Sequence, residues 1–232
     1  MADEAARRRT LFLTVVAAIV VWLAYLSREA VVPLLVALIL ALATAIPLGI
    51  LAAVRKNTVL DRLATVTSLF GVSLPGFWFG ILLLMLFAVH LHMLPVSGRA
   101  GFESEVAPIT HLLLVDSLLR GRPDAFLDAL SHIILPAITL GLPMASILMR
   151  VTRTSMLEVL SQDYITFADA KGLSKSKIIM KHALKNALIP TVTVAALETG
   201  SLLGGNMVVE TVFGWPGLGR LVVETRMASN GA

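Results

Sequence analysis

Few residues of this chain carry side chains able to do chemistry, and their spacing bounds what that chemistry could be. Cysteine is absent, which removes thiol nucleophiles, thiolate metal sites and disulfides. His90 and His92 stand two residues apart, a spacing that can bind a metal, but no further Asp or His is close in sequence. A pair of interface histidines is the favoured reading, and no metal site is expected. Gly204-Gly205 is followed by Asn206-Met207, so the lysine that a phosphate-binding loop needs is missing. No catalytic residues and no cofactor are therefore expected in this chain. The basic residues lack interleaved aromatics, so no nucleic-acid partner is expected either. Glu198 is the exception, a carboxylate near the middle of an apolar run. A charge in hydrocarbon is costly and marks a site by default. Glu198 is a candidate pathway residue, with pairing inside a helix bundle as the alternative. No second acidic or basic residue shares its run, which argues against proton coupling.

The elements that would hold these residues are apolar helices. Of 232 residues 57% are hydrophobic and 15% charged, with a mean hydropathy of +0.86. A soluble domain carries about 25% charged residues, so the bilayer is the natural solvent. Stretches of membrane-spanning length fall at Leu11–Leu26, Ala30–Val54, within Leu63–Leu91, at Ile133–Leu148 extending to about Val151, and at Ala187–Val209. The third is interrupted by Pro75-Gly76. The first follows Arg7, Arg8 and Arg9 as a signal peptide would, but lacks a cleavage site before a soluble domain and reads as a membrane helix. Pro33, Pro47, Pro136 and Pro143 fall inside spans, read as packing kinks with flexible pathway-lining helices as the alternative. Gly49, Gly80 and the stretch Gly200–Gly205 permit close helix approach.

Loop charge orients the spans. Arg7–Arg9, then Arg55, Lys56 and Arg62, then Arg150, Arg153, Lys171, Lys175, Lys177, Lys181 and Lys185 all fall on one side if the N-terminus is cytoplasmic, as the positive-inside rule expects. The other side receives Ser97–His132 with Glu103, Glu105, Asp116, Asp124 and Asp128, together with Arg99, Arg120 and Arg122.

The informative loop is Met156–Pro190, within which a cytoplasmic element is expected at about 156–186. Ser161 is a candidate cap for a helix through Tyr164, Phe167 and Ala168. Gly172 suits a helix C-terminus that needs positive φ. Ser174 is a candidate cap for a second helix through Ile178, Ile179, Ala183 and Leu184. Two short amphipathic helices at a glycine turn fit a docking element, and equally an interfacial pair with lysines toward anionic lipid. The residues alone leave both open.

The run Asp163-Tyr-Ile-Thr-Phe-Ala-Asp-Ala-Lys-Gly172-Leu-Ser, followed by His182-Ala-Leu-Lys-Asn-Ala-Leu-Ile-Pro190, closely resembles the cytoplasmic signature of the dipeptide/oligopeptide/nickel branch of ABC importer permeases. Thr166, Phe167 and Ala168 stand where the EAA loop of that family has its three name-giving residues, with Gly172 in register. The later I-x-L-P positions read His182, Ala183, Leu184 and Lys185, with proline only at Pro190. Other landmarks follow in family order: Ser73-Leu-Pro-Gly-Phe-Trp-Phe-Gly80, Leu94-Pro-Val-Ser-Gly98, Leu135-Pro-Ala137, Arg150-Val-Thr-Arg-Thr-Ser-Met-Leu-Glu158 and Glu210-Thr-Val-Phe-Gly-Trp-Pro-Gly-Leu-Gly-Arg220. The resemblance runs from about Leu42 to Glu224.

It implies an all-α, polytopic transmembrane helical bundle of the type I ABC importer permease kind, a single domain over residues 1–232. It implies a multi-pass protein of a bacterial or archaeal cytoplasmic membrane. Its implied partners are the lipid bilayer, a second permease subunit, ABC ATPase subunits that carry the ATP and Mg, and an extracytoplasmic solute-binding protein. The solutes implied are dipeptides, oligopeptides, nickel chelates or oligosaccharides. By resemblance Thr166, Phe167, Ala168, Lys171, Gly172, Leu173 and His182 belong to the ATPase-coupling loop, with Phe167 and Leu173 as apolar anchors. Glu210, Phe213, Trp215, Pro216 and Gly217 belong to the external mouth, with Trp215 also suited to anchor at the membrane interface. The ends depart from the pattern. Ser27-Arg28-Glu29 joins the first two spans where a long external segment is usual, and about five spans stand where six are typical. The expectation is a copy shortened at its last helix, with the C-terminus outside. A non-transporting remnant, a secondary transporter and a channel remain as alternatives, although the internal inverted repeat usual in secondary transporters is not seen.

Overall fold

The computed structural model describes residues 28–101, 106, 109–110, 112–203 and 207–215. The expected first span, Pro216, Gly217, Gly204 and Gly205 lie outside the described residues. Among those described, all regular structure is helical. We number the helices α1 (Arg28–Val54), α2 (Val59–Ser73), α3 (Gly76–His90), α4 (Leu113–Leu119), α5 (Pro123–Leu160), α6 (Asp163–Ala170), α7 (Lys175–Leu203) and α8 (Met207–Val212). Among the described residues, α1, α5 and α7 are long and apolar enough to cross a membrane, and the α2–α3 pair adds a fourth crossing if it counts as one span.

Helix α5 is the mast of the fold. Its 38 residues reach about 57 Å at 1.5 Å per residue, well beyond a hydrocarbon core of about 30 Å. The expected fourth span was much shorter. Pro136 and Pro143 do not break the helix, and it continues through Arg150 and Arg153 to Leu160. Pro123 opens it at a position where the missing N–H costs nothing. Three buried clusters stack along it: Ile133, Leu135, Ala137 and Leu140 near one end, Met144, Leu148 and Met149 in the middle, and Met156 near the other end.

Helix α1 lies against this mast through small residues. Ala37, Ala41, Ala45 and Ala52 are each at most 1% exposed and fall on one face at helical spacing. The larger residues of α1, among them Leu35, Ile39 and Leu51, are exposed, as suits contact with lipid. Close approach reaches its limit at Gly49. A Cβ built there would lie 2.7 Å from Thr152 Cβ and 2.9 Å from the Met149 carbonyl oxygen. Gly80 likewise lies close to α5, 3.0 Å from Thr139 Cγ2 by the same construction. Gly200 does not fit that expectation: nothing stands within 4 Å of its built Cβ.

The expected third span is a bent pair. Helices α2 and α3 meet at 101°. Pro75 has no N–H to continue a helix and forces the preceding residue extended; Leu74 sits at φ −83° and ψ 128°. The second half of α3, Leu84–His90, is wound as a π-helix. The expected fifth span shifts as well. Helix α7 starts at Lys175, is π-helical over Ile178–Ala183 and is described to Leu203, and Val209 stands on α8 beyond residues 204–206.

The α1–α5 seam supplies a stability test. Gly49→Ala should destabilise the protein by about 1–3 kcal/mol through overpacking against a backbone oxygen that cannot yield. Gly76→Ala, with nothing within 4 Å, should change stability little by comparison. Unfolding midpoints in a detergent titration measure the difference.

Candidate functional site

The loop at the Leu160 end of α5 is built from α6 and the turn that follows it. The expected cap is displaced by one residue. Ser161 closes α5, its hydroxyl donating to the Glu158 carbonyl at 2.7 Å, and Gln162 stands at the N-cap of α6. The far end of α6 is closed by two bonds, from the Gly172 N–H to the Asp169 carbonyl at 2.9 Å and from the Leu173 N–H to the Ala168 carbonyl at 3.4 Å. These are the two bonds of a Schellman motif, which needs a left-handed residue at the position Gly172 fills. Its φ is +74°.

The expected pair of short loop helices is one short helix and the start of a long one. Ser174 does stand at the N-cap of the second, though without a side-chain cap bond. From Lys175 the chain runs through the π turn directly into the apolar length of α7. The π turn and α6 close over a common cluster of Ala53, Met156, Ile165, Ala168, Ile178, Ala183 and Ala187, with Leu173 packed against it.

This packing sorts the seven loop residues singled out by sequence. Thr166, Phe167, Lys171 and Gly172 are exposed, and Phe167 is 62% exposed. The Lys171 ammonium sits 4.4 Å from the Phe167 ring centroid, a cation–π contact that fixes the ring from one side. Ala168 is buried and Leu173 half-buried in the cluster beneath. Leu173 therefore serves as the apolar lock of the Schellman turn and not as an outward anchor. His182 lies in the π turn, half-buried. Tyr164 is exposed and accepts a hydrogen bond from Asn186 Nδ2 at 2.9 Å, tying α6 to α7. Between α6 and the Val54 end of α1 lies an open groove of about 290 Å³, lined by Ala53, Val54, Leu160, Ile165, Thr166 and Asp169 among others.

The sequence reading passed over Asp61. Its carboxylate is buried and receives the Arg153 guanidinium in a two-pronged contact, Nε to Oδ1 at 2.5 Å and Nη2 to Oδ2 at 2.9 Å. The partners are 92 residues apart, so no local spacing announces them. An acidic residue between Lys56 and Arg62, in a short basic connection, was the available signal.

At the opposite end the chain folds back on itself. Helix α8 closes with a second Schellman pair, Gly214 N–H to the Thr211 carbonyl at 3.3 Å and Trp215 N–H to the Glu210 carbonyl at 2.8 Å, with Gly214 at φ +60°. The Gly98 N–H donates to the Phe213 carbonyl at 3.1 Å, so two separate sequence landmarks meet here. Phe213 and Trp215 are 3% and 6% exposed in the cluster around Ile133 and Leu135. Trp215 is therefore a core residue, contrary to the expected interface anchor. Glu210 is half-buried over a small cleft lined by Pro33, Leu34, Pro136 and Leu140. Two acidic residues of the adjoining loop hold backbone: Asp116, 2% exposed, accepts from Ile109 N–H and Thr110 N–H at 3.1 and 2.8 Å, and Asp128 accepts from Gly101 N–H at 2.7 Å.

Glu198 lies on α7 where the buried stripe Ala187, Thr191, Ala195 continues, and it is half-buried. It has no hydrogen bond or ion pair with a described residue. His90 and His92 are both exposed at the end of α3. Among the described residues, no three of His, Asp and Glu come together.

A polytopic helical bundle with a short, exposed helix held beyond its apolar spans has the form of a membrane transport subunit. The chain belongs to the family of binding-protein-dependent transport system inner membrane components, which it matches over residues 45–232. It is 46% identical over 191 residues to the dipeptide transport system permease protein DppB of Escherichia coli (strain K12), covering 81% of this chain and 56% of that protein. It is 45% identical over 176 residues to the di/tripeptide transport system permease protein DppB of Pseudomonas aeruginosa (strain UCBPP-PA14), covering 76% of this chain and 52% of that one. It is 39% identical over 192 residues to the oligopeptide transport system permease protein AppB of Bacillus subtilis (strain 168), covering 83% of this chain and 55% of that one. The chain thus spans little more than half the length of these relatives.

Burial of Trp215 predicts a large truncation effect. Trp215→Ala should cost about 3–5 kcal/mol, whereas an aromatic resting at the lipid interface would cost far less. Chemical unfolding of the purified protein in detergent checks this.

Proposed function

We propose that this chain is the permease subunit of an ABC importer for di- or oligopeptides, acting as a coupling and pathway subunit with no hydrolysis of its own. The observation that carries the proposal is the exposed row Thr166, Phe167, Lys171 and Gly172 on α6, held rigid by the Schellman turn and by the cluster beneath it. An apolar ring exposed at 62%, next to a cation, on a short and well-packed helix, is a docking surface for a protein partner. Its proposed occupant is a separate ATPase subunit that binds the ATP and Mg. The names of the relatives support peptides as the solute class.

In this reading the loop end is cytoplasmic. Arg55, Lys56, Arg62, Arg150, Arg153 and Lys171 all gather there, as the positive-inside rule requires. The end with Trp215 is then external and meets a solute-binding protein. A second permease completes the pathway, which Glu198 lines. Closure of the ATPases moves α6. Because α6 shares one cluster with α5, α7 and the Ala53 end of α1, the motion passes to several spans at once.

Gly172→Val tests the turn. Nothing crowds the position, so the substitution acts through the left-handed φ, which costs an L-residue about 1–2 kcal/mol. The expected result is normal insertion, with solute uptake reduced at least about tenfold and ATP hydrolysis no longer responsive to solute. Phe167→Asp should release the ATPase subunit on purification. Undiminished uptake in both variants would remove the docking role.

A further inference from the structure

We propose that Asp61 and Arg153 form a clamp that fixes the two walls of the groove beneath α6, and that they are positioning residues for coupling. The inference rests on the permease reading above. Asp61 makes three sets of contacts, two through its carboxylate and one through its backbone N–H. It takes both prongs of the Arg153 guanidinium at 2.5 and 2.9 Å, a geometry that sets orientation as well as distance. It also accepts the Asn57 N–H at 2.9 Å. Its own N–H is capped by Thr58 Oγ1 at 3.4 Å. Asn57 is in the left-handed region at φ 65°, a conformation that needs support from its surroundings. The tight turn from α1 to α2 is thus anchored to the same carboxylate that grips α5.

This matters because the last turn of α1, which leads into that turn, and the end of α5 are two walls of the groove. Ala53 and Val54 line it from the α1 side and Leu160 from the α5 side. Arg153 lies two helical turns before Leu160, on the leg of α5 that leads into α6. The other leg leaves α6 through Ile178–Ala183, wound as a π-helix. Such turns are rare, occur mostly as bulges inside α-helices, and are frequent at functional sites. One leg of the loop is therefore tied by an ion pair with a buried carboxylate and a partly exposed guanidinium, and the other contains a wide helical turn able to change register. Movement of α6 is resisted at Arg153 and taken up in α7. The clamp sends the motion into the pathway helix instead of letting the whole loop rock.

Removing one partner leaves the other charge without its partner in a partly buried place, at a cost. The test therefore uses Asp61→Asn, Arg153→Lys and the exchanged pair Asp61→Arg/Arg153→Asp. The chain contains no cysteine, so Val54→Cys with Thr166→Cys places two spin labels across the groove of the full chain in lipid nanodiscs. With the native pair, a single narrow distance distribution is expected. Asp61→Asn and Arg153→Lys should each broaden it, and the exchanged pair should narrow it again. In proteoliposomes holding the complete transporter, Asp61→Asn should lower solute transported per ATP at least about fivefold while the amount of assembled complex is unchanged, and the exchange should restore at least half. An unchanged distribution in Arg153→Lys, or unchanged transport per ATP in Asp61→Asn, overturns the clamp. If the distances respond as expected but the unaltered chain binds no ATPase, the clamp stands and the permease reading falls.

Discussion

In a hydrocarbon solvent, apolar side chains gain little by leaving lipid for one another, so helices hold together by how closely their backbones can approach. Everything in this structure depends on the seam where α1 meets α5. Its alanines at 37, 41, 45 and 52 remove side-chain bulk on one face, and Gly49 removes the last carbon where α1 passes Thr152. The large residues of α1 turn outward instead. This reverses the pattern of a water-soluble helix, where the bulky residues point in. With that seam formed, α5 becomes a support on which the remaining elements are hung: α2 through Asp61, α7 through Ala187, Thr191 and Ala195, and the α8 segment through Phe213 and Trp215.

The two ends of the molecule solve one problem in the same way. A helix ending in a crowded, partly apolar place leaves carbonyls without partners. At α6 and at α8 the chain turns through a glycine with positive φ, returns two N–H bonds to those carbonyls, and tucks the next residue, Leu173 or Trp215, into the adjoining cluster. The consequence differs with what lies outside. At α6 the turn leaves a row of exposed residues standing on a rigid base. At α8 it pulls an aromatic pair inward and pins Gly98 to the Phe213 carbonyl. One end is therefore built to present a surface, and the other to seal the adjoining loop against the bundle.

Most of the site was legible residue by residue, but not its division into face and base. Gly172 is recognisable because a glycine after a polar helix is the commonest way to end one. Phe167 and Leu173 look alike in the sequence, as two apolar residues in a charged loop. Only the packing of α6 on the cluster of Met156 and Ile165, and the turn at Gly172 that follows it, send Phe167 out and Leu173 in. Trp215 misled for a similar reason. A tryptophan beside prolines and glycines at the end of a span suits the membrane surface, and it was the second Schellman turn that carried it inward. The break at Pro75 was visible, whereas the 101° bend it produces was not, because the angle depends on what each arm packs against.

The sequence by itself determined the solvent, the helical class and the family. Composition leaves too little polar surface for water, hydrophobic run length follows directly from bilayer thickness, and the ordered landmarks are strings that need no coordinates to be read. Tertiary structure decided how far each helix extends and which residues meet. Helix α5 outlasts its apolar run because packing and the contact with Asp61 continue where hydropathy stops. The Asp61–Arg153 pair joins residues from separate helices, and no periodicity encodes a contact of that range. Hydropathy measures transfer of one segment into one solvent. Side-chain pairing depends on the distances between segments, which exist only once the bundle has closed.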